Sequence, residues 1–217
     1  IYQRFIKALE FESIEIAGEV RNDFDAVSIS VAKLYLGETE LEARIEASRI
    51  GENLRTRLEA GLRKFKMSEL SRYWPNDFGA PARSWATTNL HSGYVERGNI
   101  ALVIDLPLYA LNEPKVRSIS GSIEYKDLVV DYFKPFPKIT NVDGTATFTH
   151  DRFDLTVTSG TLLDLDLDHG VINMTRLDTD DESVAIDLVL RGPLATALVL
   201  ADQKPLLLLD GLGLDLT

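Results

Sequence analysis

The 217-residue chain has no cysteine, which removes disulfides, thiolate metal sites and cysteine nucleophiles together. That lack fits the cytosol, and equally a periplasmic protein that never relied on disulfides. No apolar run approaches the ~18–20 residues that a membrane-spanning helix needs. Positive charge is scarce: 23 Lys and Arg stand against 34 Asp and Glu, for a net charge of −11. Such a surface repels phosphate backbones and anionic bilayers, so nucleic acid is not an expected partner. The three histidines, His91, His150 and His169, are scattered at turn-like positions, and no His-Glu-x-x-His spacing occurs. Gly-x-Ser-x-Gly, Walker and dinucleotide glycine patterns are missing too. "SISGS" lacks the first glycine, and no helical pattern follows "GLGL" near the end.

Acidic residues are abundant, so paired carboxylates carry little information. Asp164, Asp166 and Asp168 alternate along one strand face, ~6.5–7 Å apart, with no glycine turn to converge them on a cation. A solvated outer face is expected there, and an acidic turn at 178–183. No metal, cofactor or catalytic residue is therefore expected, and the chain is not expected to be an enzyme.

What is present in quantity is period-two alternation, the mark of strands with one buried face. "ESIEIAGEV" sets Ile14, Ile16 and Val20 on one side, "DAVSISV" sets Val27, Ile29 and Val31, and "TELEARIEA" sets Leu41, Ala43, Ile45 and Ala47. The second half continues: Ile100, Leu102, Ile104 and Leu106; Ile119, Ile123 and Tyr125; Val142, Ala146 and Phe148; Phe153, Leu155 and Val157; Leu163, Leu165 and Leu167; Val184, Ile186, Leu188 and Leu190. His150-Asp151 reads as a tight turn. Joints this short cannot connect parallel strands, so the pattern predicts an antiparallel meander.

Two regions depart from alternation. Leu54, Leu58, Leu62, Phe65 and Leu70 recur at helical spacing, with Arg55, Arg57, Arg63, Lys64 and Lys66 as a basic helical patch. A second short helix follows Pro75, with Pro81 in its first turn. Together they predict a helical insert over about 52–92. A third short helix is expected after Gly192, stopping before Pro205, and the leucine run Leu206–Leu209 reads as strand. The chain opens and closes on internal-looking sequence, so a segment of a longer protein is expected.

This pattern creates a covering problem. Roughly ten strands each offer several apolar side chains to one face, and a helix roofs only two or three strands. Exposed apolar surface costs ~25 cal/mol per Å². Either the sheet folds on itself around a dry core, or it curls into an apolar trough that holds something greasy.

"SELSRYWPNDFGAPARSWATTNLHSGYVERGNIALVI" resembles a signature of the large AsmA-like proteins of Gram-negative bacteria, the YhdP and TamB group. The matching positions are Trp74, Pro75, Ala80, Pro81, Ala82, Arg83, Trp85, Leu90 and Gly93, with one residue fewer between Pro81 and Ala82 than in that pattern. "VDYFKPFPKITNVDGTATFTHDRFDLTVTSGTL" is also similar to this group. The resemblance spans roughly residues 40–200. It implies a mainly β fold with a few short helices, a curved antiparallel meander of the β-groove or β-taco kind. It implies a periplasmic part of an inner-membrane-anchored protein, with the anchor outside this segment. The expected partners are phospholipid or another acyl-chain lipid, conducted along an apolar groove, and neighbouring β-groove segments of the same chain.

The layout expected is a single β-groove segment: strands over 1–50, helical insert 51–92, meander 93–192, then a short helix and strand over 193–217. Candidate groove-lining residues are Ile14, Ile16, Ile29, Val31, Ile45, Ile100, Leu102, Ile104, Ile119, Ile123, Phe148, Leu155, Leu165, Ile186 and Leu188. The Trp74–Pro75–Pro81–Arg83–Trp85 block is expected to pin two helices against the end of the sheet, or alternatively to plug or gate the groove. The other reading is a structural or protein-interaction β-domain with a closed dry core, serving as scaffold in envelope assembly.

Overall fold

The computed structural model describes residues 12–21, 26–74, 76, 80–110, 113–132, 135–179 and 181–203. Ten strands pair in strict sequence order into one open antiparallel sheet: β1 (Ser13–Arg21), β2 (Ala26–Leu36), β3 (Thr39–Ile50), β4 (Asn53–Lys66), β5 (Tyr94–Pro107), β6 (Lys115–Val130), β7 (Ile139–Thr149), β8 (Arg152–Leu162), β9 (Leu165–Thr175) and β10 (Ser183–Arg191). A single 3-10 turn, Met67–Glu69, leads into α1 (Leu70–Tyr73); α2 (Ala80–Asn89) follows, and α3 (Leu194–Asp202) comes after the last strand. The meander and the short helix after Gly192 are as the alternation predicts, and His150 and Asp151 form the two-residue β7–β8 joint. The expected strand through Leu206–Leu209 lies outside the described residues.

The helical insert is a correction. Residues 53–66 are strand, not helix, and helix begins only at the 3-10 turn. A spacing of four satisfies both periods: Leu54, Leu58 and Leu62 share a helix face, and they share a strand face with Thr56 and Ala60 between them. Pairing with β3 and β5 along nearly its whole length decides for strand. Arg55, Arg57 and Arg63 therefore project from the polar face of a sheet and form no helical patch.

One line of irregularities organises the sheet. In β4 to β9 the core-facing positions skip an odd number of residues once per strand: Leu62 to Phe65, Gly98 to Val95, Tyr125 to Leu128, Val142 to Ile139, Val157 to Gly160, Gly170 to Leu167. An odd step in a regular strand would flip the side chain to the other face. Bulges absorb it, with Lys64, Asp127 and Asn141 all at φ 53°. Asp143 fixes the bulge in β6: one carboxylate oxygen accepts the Asp127 N–H at 3.0 Å, the other the Lys126 ammonium at 3.2 Å. Those hydrogen bonds, the backbone one first, hold the Asp143 carboxyl below its ordinary range.

Bulges bend the strands, and beyond their line the sheet closes on the helices. Phe65, Met67, Val95, Tyr125, Leu128, Val142, Val157, Leu162, Leu165, Leu167 and Leu200 form one buried cluster, joined by Leu70 and Tyr73 of α1 and Ala197 of α3. Tyr125 lies across Gly144, where a Cβ would meet its phenol oxygen at 2.5 Å, and donates to the Thr156 carbonyl at 3.2 Å. Burial pushes the Tyr125 phenol up to about 12.

Leu165 is completely inaccessible to solvent at the middle of this cluster. Leu165→Ala is expected to destabilise the fold by about 2–5 kcal/mol, as buried leucine truncations do, in a chemical denaturation series.

Candidate functional site

The register of the nine ladders places apolar residues opposite one another from one edge of the sheet to the other. Ile14–Leu34–Leu41–Leu62–Gly98–Ile123–Ala146–Leu155–Ile172–Ile186 is one row of directly paired residues through all ten strands. Ile16–Ala32–Ala43–Ala60–Ile100–Gly121–Phe148–Phe153–Met174–Val184 is a second. Two shorter rows flank them over β1–β6: Gly18–Ile29–Ile45–Leu58–Leu102–Ile119 and Val20–Val27–Ala47–Thr56–Ile104–Val116. With ~4.8 Å between strands, nine steps make an apolar track ~43 Å long that runs across the strands.

Side-chain size keeps the track low. Phe148 lies flat over Gly121, so close that a Cβ there would meet its ring at 2.4 Å. It also stacks on Phe153, with ring centroids 6.1 Å apart and planes 14° from parallel. The track is uncovered at both ends: Ile16 is 62% and Ile186 59% exposed. Between them most row residues are half-buried; Ala146 is buried in the core cluster, and Leu62, Ile123, Phe153 and Leu155 pack against it. The buried cluster under the helices holds the side beyond the bulge line, so one flank of the track is roofed and the other is open.

Fourteen of the fifteen sequence-predicted groove residues thus share one face: Ile14, Ile16, Ile29, Ile45, Ile100, Leu102, Ile104, Ile119, Phe148 and Ile186 on the open rows, Ile123, Leu155 and Leu188 packed against the core cluster, and Leu165 within it. Val31 does not join them. The β2 bulge after Ile29 puts Ala32 opposite Ala43 and sets Val31 opposite Ala17, out of phase with the rows. Leu165 belongs to the dry core, as its complete burial requires.

Within the Trp–Pro block the hydrogen bonds between the two helices come from Arg83. Arg83 is the pin: its Nε donates to the Trp74 carbonyl at 3.0 Å and its NH2 group to the Ser71 carbonyl at 2.9 Å, closing the end of α1 against α2. Trp85 is 42% exposed and does not anchor the core. Pro75 lies outside the described residues, and Pro81 sits in the first turn of α2. The end of α2 is stitched to β6 by Leu90 bridging Val130 and by the His91 N–H on the Val129 carbonyl at 3.1 Å.

The opposite face is polar in the same rows. Asn99 accepts from the Ser122 hydroxyl at 2.8 Å, and Arg97 pairs with Glu124 at 3.0 Å. A hollow of about 1110 Å³ lies against the middle of the sheet, lined by polar-face residues such as Lys33, Arg44 and Glu59 and by row residues such as Leu41, Ala60 and Ile100. On the polar face Asp105 is clamped by Arg55 at 2.8 and 3.0 Å and by Arg117 at 2.7 Å, and is 1% exposed. Sequence reasoning missed this triad, because its members lie 50 and 12 residues apart and only the register brings them together. Among the described residues no group of three or more His, Asp or Glu could hold a metal ion.

The family model described as YhdP protein matches residues 2–211 of the chain. No curated protein and no solved structure matches it.

The Arg55 hydrogen bonds, aided by Arg117 and opposed by burial, hold the Asp105 carboxyl well below the usual carboxylate range. A carboxyl whose folded pKa is lowered contributes in full above the unfolded value, ~3.9, and its contribution is lost as pH falls below that. Thermal melts between neutral pH and strong acid are expected to show that loss below about pH 4. Asp105→Asn is expected to be less stable at neutral pH and to show a shallower acid decline.

Proposed function

The chain belongs to the YhdP family, and from that premise we propose that it is a non-enzymatic, periplasmic segment of an inner-membrane-anchored envelope protein that binds and conducts acyl-chain lipid. The observation that carries the reading is the pair of apolar rows that cross all ten strands without a charged residue. A closed scaffold domain has no use for such rows at its own exposed edges. A track for hydrocarbon requires them there, since a chain sliding across the strands meets apolar contact at every step. Each methylene moved from water to such a surface gains ~0.8 kcal/mol.

The polar face then meets water and holds the sheet in shape through its ladders of Asn, Ser, Thr and paired charges. No described helix is long and apolar enough to cross a membrane; the anchor is placed in other parts of the protein. Edge strands β1 and β10 carry the rows to their ends, where neighbouring segments of the longer chain continue them.

The test is binding of a fluorescent polyene fatty acid to the purified chain, followed by competition with phospholipid. Saturable binding is expected. Ala60→Glu or Ile100→Asp, which sets a carboxylate in the middle of the second row, is expected to weaken it by at least ~10-fold, because an ionised carboxylate loses its hydration against hydrocarbon. Ala101→Asp, one residue away on the polar face, is expected to bind as the parent does. No binding by the parent chain, or equal loss in all three variants, contradicts the reading.

A further inference from the structure

Cations are the scarce charge in this chain, yet several gather at one place on the polar face of the sheet. The ladders of β3 to β6 set Ser48, Arg55, Asp105 and Lys115 directly opposite one another in one row. The next row on that face is Glu46, Arg57, Val103 and Ser118. Between the two rows β6 carries one residue more than β5, and Arg117 lies in that bulge. The bulge aims it at the polar face, where its Nε reaches Asp105 at 2.7 Å. Two guanidinium groups thus touch one carboxylate, and an ammonium side chain stands opposite it in the ladder.

Neutralising a buried carboxylate takes one guanidinium, and Arg55 already grips Asp105 with two hydrogen bonds, at 2.8 and 3.0 Å. Arg117 and Lys115 exceed that need. The burial is also one-sided. Asp105 is 1% exposed, while the side chains of Arg55 and Arg117 are 43% and 56% exposed. The carboxylate therefore lies beneath and the guanidinium groups face water. Each guanidinium has five N–H donors. Arg55 commits two of them to Asp105 and Arg117 one, and no other described residue takes the rest. Lys115 is exposed and has no ion pair among the described residues. Ser48, Val103 and Ser118 add no charge, and Glu46 stands 4.0 Å from Arg57. The two rows with Arg117 hold an excess of two positive charges, flanked by Glu52 and Glu113 in the adjoining turns.

We propose that this arrangement is a phosphate-binding site on the polar face. The outward N–H groups of Arg55 and Arg117 take the phosphate oxygens in forked pairs, and Lys115 supplies the third positive charge at the margin. Asp105 is a positioning residue: it fixes both forks before a ligand arrives, so less side-chain freedom is lost on binding. Two surplus charges match a phosphate group with its unesterified oxygens. Chloride matches poorly, because a forked donor pair is built for two oxygens. The proposal is independent of the lipid-binding reading, since it uses the opposite face of the sheet.

The test follows the arginine Nε–H signals of the isotopically labelled chain by NMR. Inorganic phosphate is titrated against sodium chloride of equal ionic strength. The Arg55 and Arg117 signals are expected to move saturably with phosphate alone. Arg97, paired with Glu124 at 3.0 Å on the same face, is expected to stay still. Lys115→Gln removes no described contact and is expected to weaken binding by about 3–10-fold. Arg117→Lys keeps the charge and loses the fork, and is expected to weaken it by at least about tenfold. If Arg117→Lys fails to fold, Lys115→Gln decides alone. Co-sedimentation with vesicles of phosphatidylcholine plus phosphatidic acid, against phosphatidylcholine alone, separates the two sources of phosphate. A phosphatidic-acid-dependent gain that Lys115→Gln weakens assigns a lipid headgroup, and a response to dissolved phosphate alone assigns a soluble ligand; either result carries the proposal. Arg55 and Arg117 signals that follow chloride as they follow phosphate, or that the variants leave unchanged, with no such gain on vesicles, overturn it and leave the lipid-binding reading untouched.

Discussion

In an antiparallel ladder, directly opposed residues stand on the same face of the sheet. Nine such ladders in series make the register between strands the quantity on which this molecule depends. A slip of one residue in any ladder would move every following apolar side chain to the polar face. The bulges at Lys64, Asp127 and Asn141 show how strictly phase is kept, since each absorbs one extra residue so that the same face stays apolar where the sheet bends. The bend has a second effect. It brings Leu162, Leu165 and Leu167 into one cluster with Phe65 and Val95, although their strands are far apart in the sheet order. One device therefore yields both the dry core and the limit of the open track.

Stability and exposure are divided along that line. The side under the helices behaves as an ordinary core, and the clamp of Arg55 and Arg117 on Asp105 ties β4, β5 and β6 together from the opposite face. Because those fixings lie away from the apolar rows, the rows themselves carry no polar group that the fold requires. A surface of this kind is costly in water unless it is occupied. That cost is the physical reason for assigning it a hydrocarbon partner.

Much of this was legible in the residues. Alternation located nine of the ten strands and the apolar face, and the resemblance to AsmA-like proteins agrees with the family the chain belongs to. Strand β4 was misread because Leu54, Leu58 and Leu62 fit both periods and only tertiary pairing distinguishes them. Val31 was misplaced because β2 carries no glycine at its own bulge; the glycine that meets it, Gly18, lies on β1, and only the register brings the two together. Trp85 drew attention by its rarity, yet the α1–α2 corner is held by Arg83 through two backbone carbonyls, a role that no spacing announces. The length of the track was out of reach altogether: each strand shows its own apolar residues, but only the register shows that they line up across ten strands.

The most direct test of the central claim is an experimental structure of the chain with added phospholipid. The account predicts hydrocarbon density lying on the rows through Ile100 and Ile123, with the polar face bare. Rows covered along their length by protein side chains, from this chain or a second copy, with no lipid between, would contradict it.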